Sequence, residues 1–244
     1  LQRLPTLECE NTHFVFGDLS GDSHLDIITI CGHATGLNHY LLNGGMGYFE
    51  DVTGVRMPVD TLADMFGAAA DIDNDLDLDL LLAWRWGSSI LHIRGLENVD
   101  GYFSLFEEDR LDDRYARWID VADLDDDGDL DIVISGIISL GILINYEGSF
   151  IDETDDRLEN FGPGHGGPTM MGLGDYDNDG DIDIYAGFSV GVRDHLYVNN
   201  GQGYFALADD RIPDTEASTR WAEPFDADSD GDLDLFLACS GDGI

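Results

Sequence analysis

With 244 residues and 43% hydrophobic content, the chain is long enough for one substantial all-β domain or two small ones, and its 51 acidic against 11 basic residues give a formal charge of −40. Such a surface repels phosphate backbones and anionic lipid, which excludes nucleic acid as a partner, and no apolar run approaches the roughly 18 residues that membrane insertion by a helix requires. The acids are interleaved with Ile, Leu, Val and Phe instead of forming blocks, which excludes a disordered acidic tail.

Of the acids 40 are Asp, every basic residue is Arg, and there is no Lys. Asp favours turns and metal loops while Glu favours helices, so the bias points to loops and cations. Adaptation to high salt is a second reading of the missing Lys. The start at Leu1 shows no signal-peptide pattern and points to a processed or excerpted chain.

In chain order, the first feature is Arg3-Leu4, the first of five Arg-aliphatic pairs. The first acidic loop is Asp18-Leu-Ser20-Gly-Asp22-Ser-His24-Leu-Asp26. Four more follow: Asp71-Ile-Asp73-Asn-Asp75-Leu-Asp77-Leu-Asp79, Asp123-Leu-Asp125-Asp-Asp127-Gly-Asp129-Leu-Asp131, Asp175-Tyr-Asp177-Asn-Asp179-Gly-Asp181-Ile-Asp183 and Asp226-Ala-Asp228-Ser-Asp230-Gly-Asp232-Leu-Asp234. Their first residues are 53, 52, 52 and 51 positions apart, an internal repeat that decides the fold class. A hard cation such as Ca2+ takes six to eight oxygens, and carboxylates at positions 1, 3, 5 and 9 with the carbonyl of position 7 supply them. Up to five ions are expected, one per repeat. Repeat one is the weakest because Ser20 stands at position 3, and repeat two is qualified by Leu76 where a glycine would take the sharp turn. An EF-hand is the competing motif. It fails because position 12 is never Glu (Thr29, Leu82, Ala186 and Leu237 are among its occupants) and because β-type runs follow every loop.

Each period supplies four strands. One precedes the loop, and five residues before its first Asp stand His13, Phe66, Trp118, Met170 and Trp221, expected as core residues. A second follows the loop, over residues 25–30, 78–82, 130–134, 182–185 and 233–237. A third runs to a turn such as Asn43-Gly44 or Asn200-Gly201, a strong hairpin signal. The fourth opens at Gly47-Tyr-Phe49, Gly101-Tyr-Phe103, Gly148-Ser-Phe150 and Gly203-Tyr-Phe205, and Arg56-Met57, Arg110-Leu111, Arg157-Leu158 and Arg211-Ile212 follow. Four short antiparallel strands every ~50 residues predict an all-β protein, a β-propeller of four-stranded blades with about five repeat units, and not a β-sandwich. The three Cys make no metal site. Cys31 and Cys239 occupy equivalent strand positions and read as small buried hydrophobes, with a bridge involving Cys9 as the alternative.

The Asp-x-Asp-x-Asp-Gly-x-x-Asp loops with the Asn-Gly…Gly-x-Phe hairpin resemble FG-GAP/VCBS repeats, the units of the propeller in integrin α-subunits and in many bacterial and fungal secreted proteins. The resemblance covers essentially the whole of residues 1–244 as one propeller domain. It implies that each loop joins the first two strands of a blade and holds calcium through positions 1, 3, 5, 7 and 9, fully matched in repeats three to five. Integrin-like propellers have seven blades, so both a five-bladed ring closed by a mixed-terminus blade and a piece of a larger propeller fit the count.

The repeated chemistry is metal binding, the same in every blade, where catalysis would break the symmetry once. A non-enzymatic extracellular or cell-surface module for adhesion, ligand recognition or assembly is therefore expected, with Ca2+ as a structural staple and a protein or glycan ligand, self-assembly included. The ligand is expected at the exceptions to the repeat: Trp84-Arg85-Trp86, read as lying just past a strand, and Gly162-Pro-Gly-His165-Gly-Gly-Pro168. A lectin-like propeller, or a propeller of a polysaccharide-degrading enzyme, is the alternative. Gly187-Phe-Ser189-Val-Gly191 matches a nucleophile elbow as a string but lacks a strand-turn-helix setting.

Overall fold

The computed structural model describes residues 3–7, 11–32, 37–59, 63–86, 90–106, 111, 116–136, 140–158, 167–189, 191–213 and 218–240. Within them the chain is all-β, built from successive antiparallel sheets. The first sheet is β1 (Asn11–Gly17), β2 (Asp26–Cys31), β3 (His39–Asn43) and β4 (Phe49–Asp51), in that spatial order. The second is β5 (Ala63–Ala70), β6 (Asp79–Trp86), β7 (Ile90–Val99) and β8 (Tyr102–Leu105), and the third is β9 (Trp118–Ala122), β10 (Asp131–Ser135), β11 (Leu140–Tyr146) and β12 (Ser149–Asp152). The fourth is β13 (Met170–Gly174), β14 (Asp183–Gly187), β15 (His195–Asn199) and β16 (Phe205–Leu207). A fifth holds β17 (Ser218–Phe225) and β18 (Asp234–Ser240).

Each four-stranded sheet is a meander in which every strand pairs with its sequence neighbour, the blade architecture that the 52-residue period predicts. Every acidic loop joins the first two strands of its sheet, where Gly17 pairs with Asp26, Ala70 with Asp79, Gly174 with Asp183 and Phe225 with Asp234. Short helices α1 (Thr53–Arg56) and α2 (Thr154–Arg157) follow the fourth strands of sheets one and three, and a 3-10 turn at Asp209–Arg211 does so in sheet four.

The chain forms two compact units, Leu1–Ile119 with Glu147–Ser149, and Asp120–Tyr146 with Phe150–Ile244. In the first, sheets one and two share a core of Val15, Ile28, Ile30, Tyr40, Leu80, Leu82, Leu96 and Phe103, with the Phe103 ring edge-on to Tyr40 at 5.7 Å. Residue types explain the pairing: β2 and β6 are runs of Ile and Leu, the composition of strands covered on both faces. In the second unit β10 and β14 are buried at every position.

The residues five before each loop behave less uniformly than the pattern predicts. His13, Phe66 and Trp118, all in the first unit, form a partly buried aromatic cluster, with ring centroids 5.0, 4.4 and 6.0 Å apart. Desolvation in that cluster lowers the His13 pKa. Met170 is buried, but Trp221 is 42% exposed, so the expectation of a core residue there is overturned. The cysteines also differ from one another: Cys31 is buried and disulfide-bonded, while Cys239 is free and exposed, so the buried-hydrophobe reading fails for Cys239. Cys9 lies outside the described residues.

Candidate metal loops

Each loop is wound by its own backbone around its first aspartate. In loop two the N–H groups of Asp75 and Leu76 donate to Asp71 at 3.0 Å each. Asp22 and Ser23 donate to Asp18 (2.9 and 2.7 Å), Asp127 and Gly128 to Asp123 (3.2 and 3.1 Å), and Asp179 and Gly180 to Asp175 (3.1 and 3.0 Å). Asp230 and Gly231 do the same to Asp226, both at 3.2 Å. Position 5 then accepts from the N–H of position 7, as when His24 donates to Asp22 and Asp129 to Asp127, each at 2.9 Å. This winding forces positions 4 and 6 to positive φ in every loop: Gly21 and Ser23, Asn74 and Leu76, Asp126 and Gly128, Asn178 and Gly180, Ser229 and Gly231. Leu76, at φ 78°, takes the same turn as the glycines, so loop two keeps the common geometry and carries backbone strain.

The winding gathers carboxylates. Asp71, Asp73 and Asp75 bring three oxygens within 4.8 Å of one another, as do Asp123, Asp125 and Asp127 in loop three and Asp226, Asp228 and Asp230 in loop five. Loop four gathers Asp175, Asp177 and Asp183. These clusters can hold a metal ion. Loop one forms no such group among the described residues: Ser20 offers a hydroxyl at position 3, and the His24 ring nitrogen Nδ1 lies 3.0 Å from the Asp22 carboxylate. At position 7 the side chains of Asp77, Asp129, Asp181 and Asp232 stay outside the gathered sets; Asp77 accepts the N–H of Asp100 at 2.7 Å and Asp232 contacts Asn178.

Two observations test whether a cation fits. The Oδ1 atoms of Asp125 and Asp177 are buried without a hydrogen-bond partner, and a desolvated carboxylate oxygen without a donor is costly unless a cation meets it. The donors are also all hard oxygens, which suits Ca2+ or Mg2+ and not the thiolate- or imidazole-seeking metals. Asp125 and its loop partners fit such an ion; desolvation, followed by Asp127, raises the Asp125 pKa in the ion's absence.

Position 9 has a different character from positions 1, 3 and 5. Asp26, Asp79, Asp131 and Asp183 are at most 1% exposed. In the second, third and fourth loops both oxygens are taken by backbone donors: Asp79 accepts from Ile72 (3.2 Å) and Asn98 (2.8 Å), Asp131 from Leu124 (2.9 Å) and Asn145 (2.8 Å), and Asp183 from Tyr176 (2.9 Å) and Asn199 (2.8 Å). Burial pushes Asp79 and Asp131 up to about 7 and Asp183 up to about 6, with the N–H donors opposing it. Asp26 is raised for the same reason. Asp234, in the exposed fifth loop, accepts from Ala227 at 3.0 Å. In loops two to four position 9 thus forms a buried floor on which the loop rests.

Two sets of residues that carry this geometry had no assigned role in the sequence. The first is Asn43, Asn98, Asn145 and Asn199, at the end of each third strand. Asn199 donates through Nδ2 to Ile182 and Leu124, its Oδ1 accepts from Asn200, Gly201 and Gly203, and Asn98 likewise ties Leu78 to Leu19. The Asn-Gly strings show only Asn43 of this set, since Asn98, Asn145 and Asn199 are followed by Val99, Tyr146 and Asn200. The second set is the arginines after the fourth strands. Arg157 reaches Asp125 Oδ2 at 3.3 Å and Arg211 reaches Asp177 Oδ2 at 2.8 Å, each holding the oxygen opposite the unpartnered one.

The expected ligand exceptions are placed in part. Residues 84–86 lie inside β6, paired with β5 and β7, which corrects their reading as a segment beyond a strand; their side chains lie outside the described residues. His165 also lies outside them. Gly187 closes β14, and Ser189 accepts the N–H of Val192 in the turn to β15, a β-hairpin setting for that string.

No curated protein matches the chain. Among solved structures, a lectin of Agrocybe aegerita, described for specific recognition of non-reducing terminal N-acetylglucosamine, aligns over 94% of this chain and 75% of its own, at 16% identity and a TM-score of 0.41. A family model described as an FG-GAP-like repeat matches residues 175–237, from the first aspartate of loop four into β18. The chain therefore carries FG-GAP-like repeat sequence, embodied in two of its acidic loops and the blade strands between them.

Proposed function

We propose that this protein is a calcium-stabilised, non-enzymatic β-propeller module that acts outside the cell in ligand recognition, adhesion or assembly. The observation that carries the calcium reading is the recurrence of one wound loop that gathers three carboxylate oxygens within 4.8 Å in four repeats. Positions 1, 3 and 5 supply the oxygens in loops two, three and five, and positions 1, 3 and 9 in loop four. Bound Ca2+ would neutralise repulsion that the apo loops cannot relieve. The disulfide at Cys31 supports an oxidising, extracellular setting, and among the described residues no helix is long and apolar enough to cross a membrane. At millimolar extracellular calcium even weak loops fill, and each ion adds folding stability.

Isothermal titration of the metal-stripped chain tests this. About four Ca2+ bound per chain supports the reading, with Mg2+ weaker because it demands octahedral geometry. No calcium uptake at millimolar concentration refutes it. For the ligand, the proposal is a protein or a glycan, and the aromatic-basic-aromatic run Trp84-Arg85-Trp86 is the place to test. Glycan-array binding that is lost in Trp86→Ala favours a lectin; hits that survive the substitution place the ligand elsewhere.

A further inference from the structure

Arg157 stands at the end of α2 and is 6% exposed, an unusual depth for a guanidinium. All three of its nitrogens are engaged, each by a different element. Nε donates to Glu153 at 2.7 Å, Nη2 to the position-3 carboxylate of Asp125 at 3.3 Å, and Nη1 to the backbone carbonyl of Gln202 at 2.8 Å. Gln202 belongs to the hairpin between β15 and β16, in the next blade. There the guanidinium also lies 5.1 Å from the centroid of the Tyr204 ring, and a Cβ at Gly203 would collide with Nη1. The Gly-Tyr-Phe signature of one blade is thus the seat for the arginine of the blade before it.

The first repeat provides a natural comparison. Arg56 occupies the same seat, 5.0 Å from the Tyr102 ring centroid and against Gly101, but the position-3 residue of its loop is Ser20. Nη1 of Arg56, the atom that in Arg157 meets the hairpin carbonyl, is buried without a hydrogen-bond partner, and the buried Ser20 hydroxyl faces Asp22 and Asp26 and takes no bond from Arg56. Where the acid is lost, the arginine stays against Tyr102 and Gly101 but holds neither the loop nor, through Nη1, the hairpin carbonyl, and that loop is the one in which carboxylates are not gathered.

We propose that Arg157 is a positioning residue that couples cation binding at loop three to the seating of the neighbouring hairpin, residues 200–204. By holding Oδ2 of Asp125 it presents Oδ1 to the cation, and a cation that orders Asp125 in turn fixes the guanidinium against Gln202 and Tyr204. The planar fork makes these contacts together, which a lysine cannot do. This rests on the calcium reading above.

The test compares the full chain as wild type, Arg157→Ala and Arg157→Lys, by calcium titration and by hydrogen exchange over residues 200–205 with calcium and with chelator. In wild type, calcium slows exchange in that hairpin. Both variants lose about tenfold in affinity at one site, with the others unchanged, and their hairpin no longer responds to calcium; Arg157→Lys keeps the fold if Arg157→Ala does not. Removing a positive charge near a cation should by Coulomb's law tighten binding, so unchanged or tighter binding in Arg157→Ala, or a hairpin that still responds in Arg157→Lys, overturns the coupling. Absence of calcium binding in wild type overturns the metal reading, and the coupling with it. Ser20→Asp is the converse variant: it restores the partner of Arg56 and should add one calcium site per chain, and an unchanged stoichiometry counts against the arginine-acid tie.

Discussion

Leu76 shows how strongly the loop frame dominates local preference. It holds φ 78° and is 90% exposed, so its side chain returns little packing for a backbone conformation that leucine disfavours. Leu76→Gly should therefore raise the unfolding free energy by about 1 kcal/mol, read as a shift of the denaturant midpoint at constant slope; a midpoint that falls would mean that the leucine makes contacts the chain depends on. The glycine was legible as missing from the sequence, but the loop's tolerance of its loss was not. That tolerance comes from the two N–H donors on Asp71, which a string of letters does not show.

At the scale of the loop, the recurrent asparagine is the larger structural element. Asn199 is 3% exposed and satisfies two carbonyls and three N–H groups, so Asn199→Ala should cost about 2–3 kcal/mol through the buried groups it leaves unpaired. Equal stability of the variant in urea unfolding would contradict this. The position-9 aspartates give the loops a pH dependence. Asp79 and Asp131 are raised to about 7 by burial, so the folded state binds their protons more tightly than the unfolded state does. Their contribution is fully present below the unfolded value near 4 and is lost as pH rises to about 7. In chelator, the melting temperature should fall between pH 5 and pH 8, a trend that repulsion within the other carboxylate clusters reinforces; a rise over that interval would contradict the assignment.

The same elements show what the sequence could and could not reveal. The period, the position of each loop between first and second strands, and the Gly-Tyr-Phe turns were all legible, because each is a local string repeated in register. The division of labour inside a loop was not. Position 9 reads as one more ligand, and Asp183 joins the gathered set of loop four, but in three loops this residue is also buried and accepts backbone N–H groups 7 to 19 residues away, a second role that the motif does not show. The arginines after each fourth strand were visible as a pattern, but their partners lie 32 and 34 residues upstream, beyond any motif. Trp221 shares the position of Phe66 and Trp118 but not their burial, since a residue's exposure depends on the sheet packed against it.

For the whole molecule, the charge of −40 and the compact β-sheets of each unit make opposing demands. Self-repulsion favours expansion, while four carboxylate clusters sit at the joints between the first two strands of their sheets. On the proposed reading, calcium at those joints would convert the least favourable part of the charge distribution into cross-links within each blade. Four ions would leave a net charge of about −32, so the surface stays strongly acidic and suits a partner with a basic face. The most direct test is thermal unfolding of the intact chain at neutral pH in 2 mM calcium and in excess chelator. The calcium-stapled propeller predicts a melting temperature higher by ten degrees or more with calcium, on the order expected for several ions bound only to the folded state. An unchanged melting temperature would contradict it.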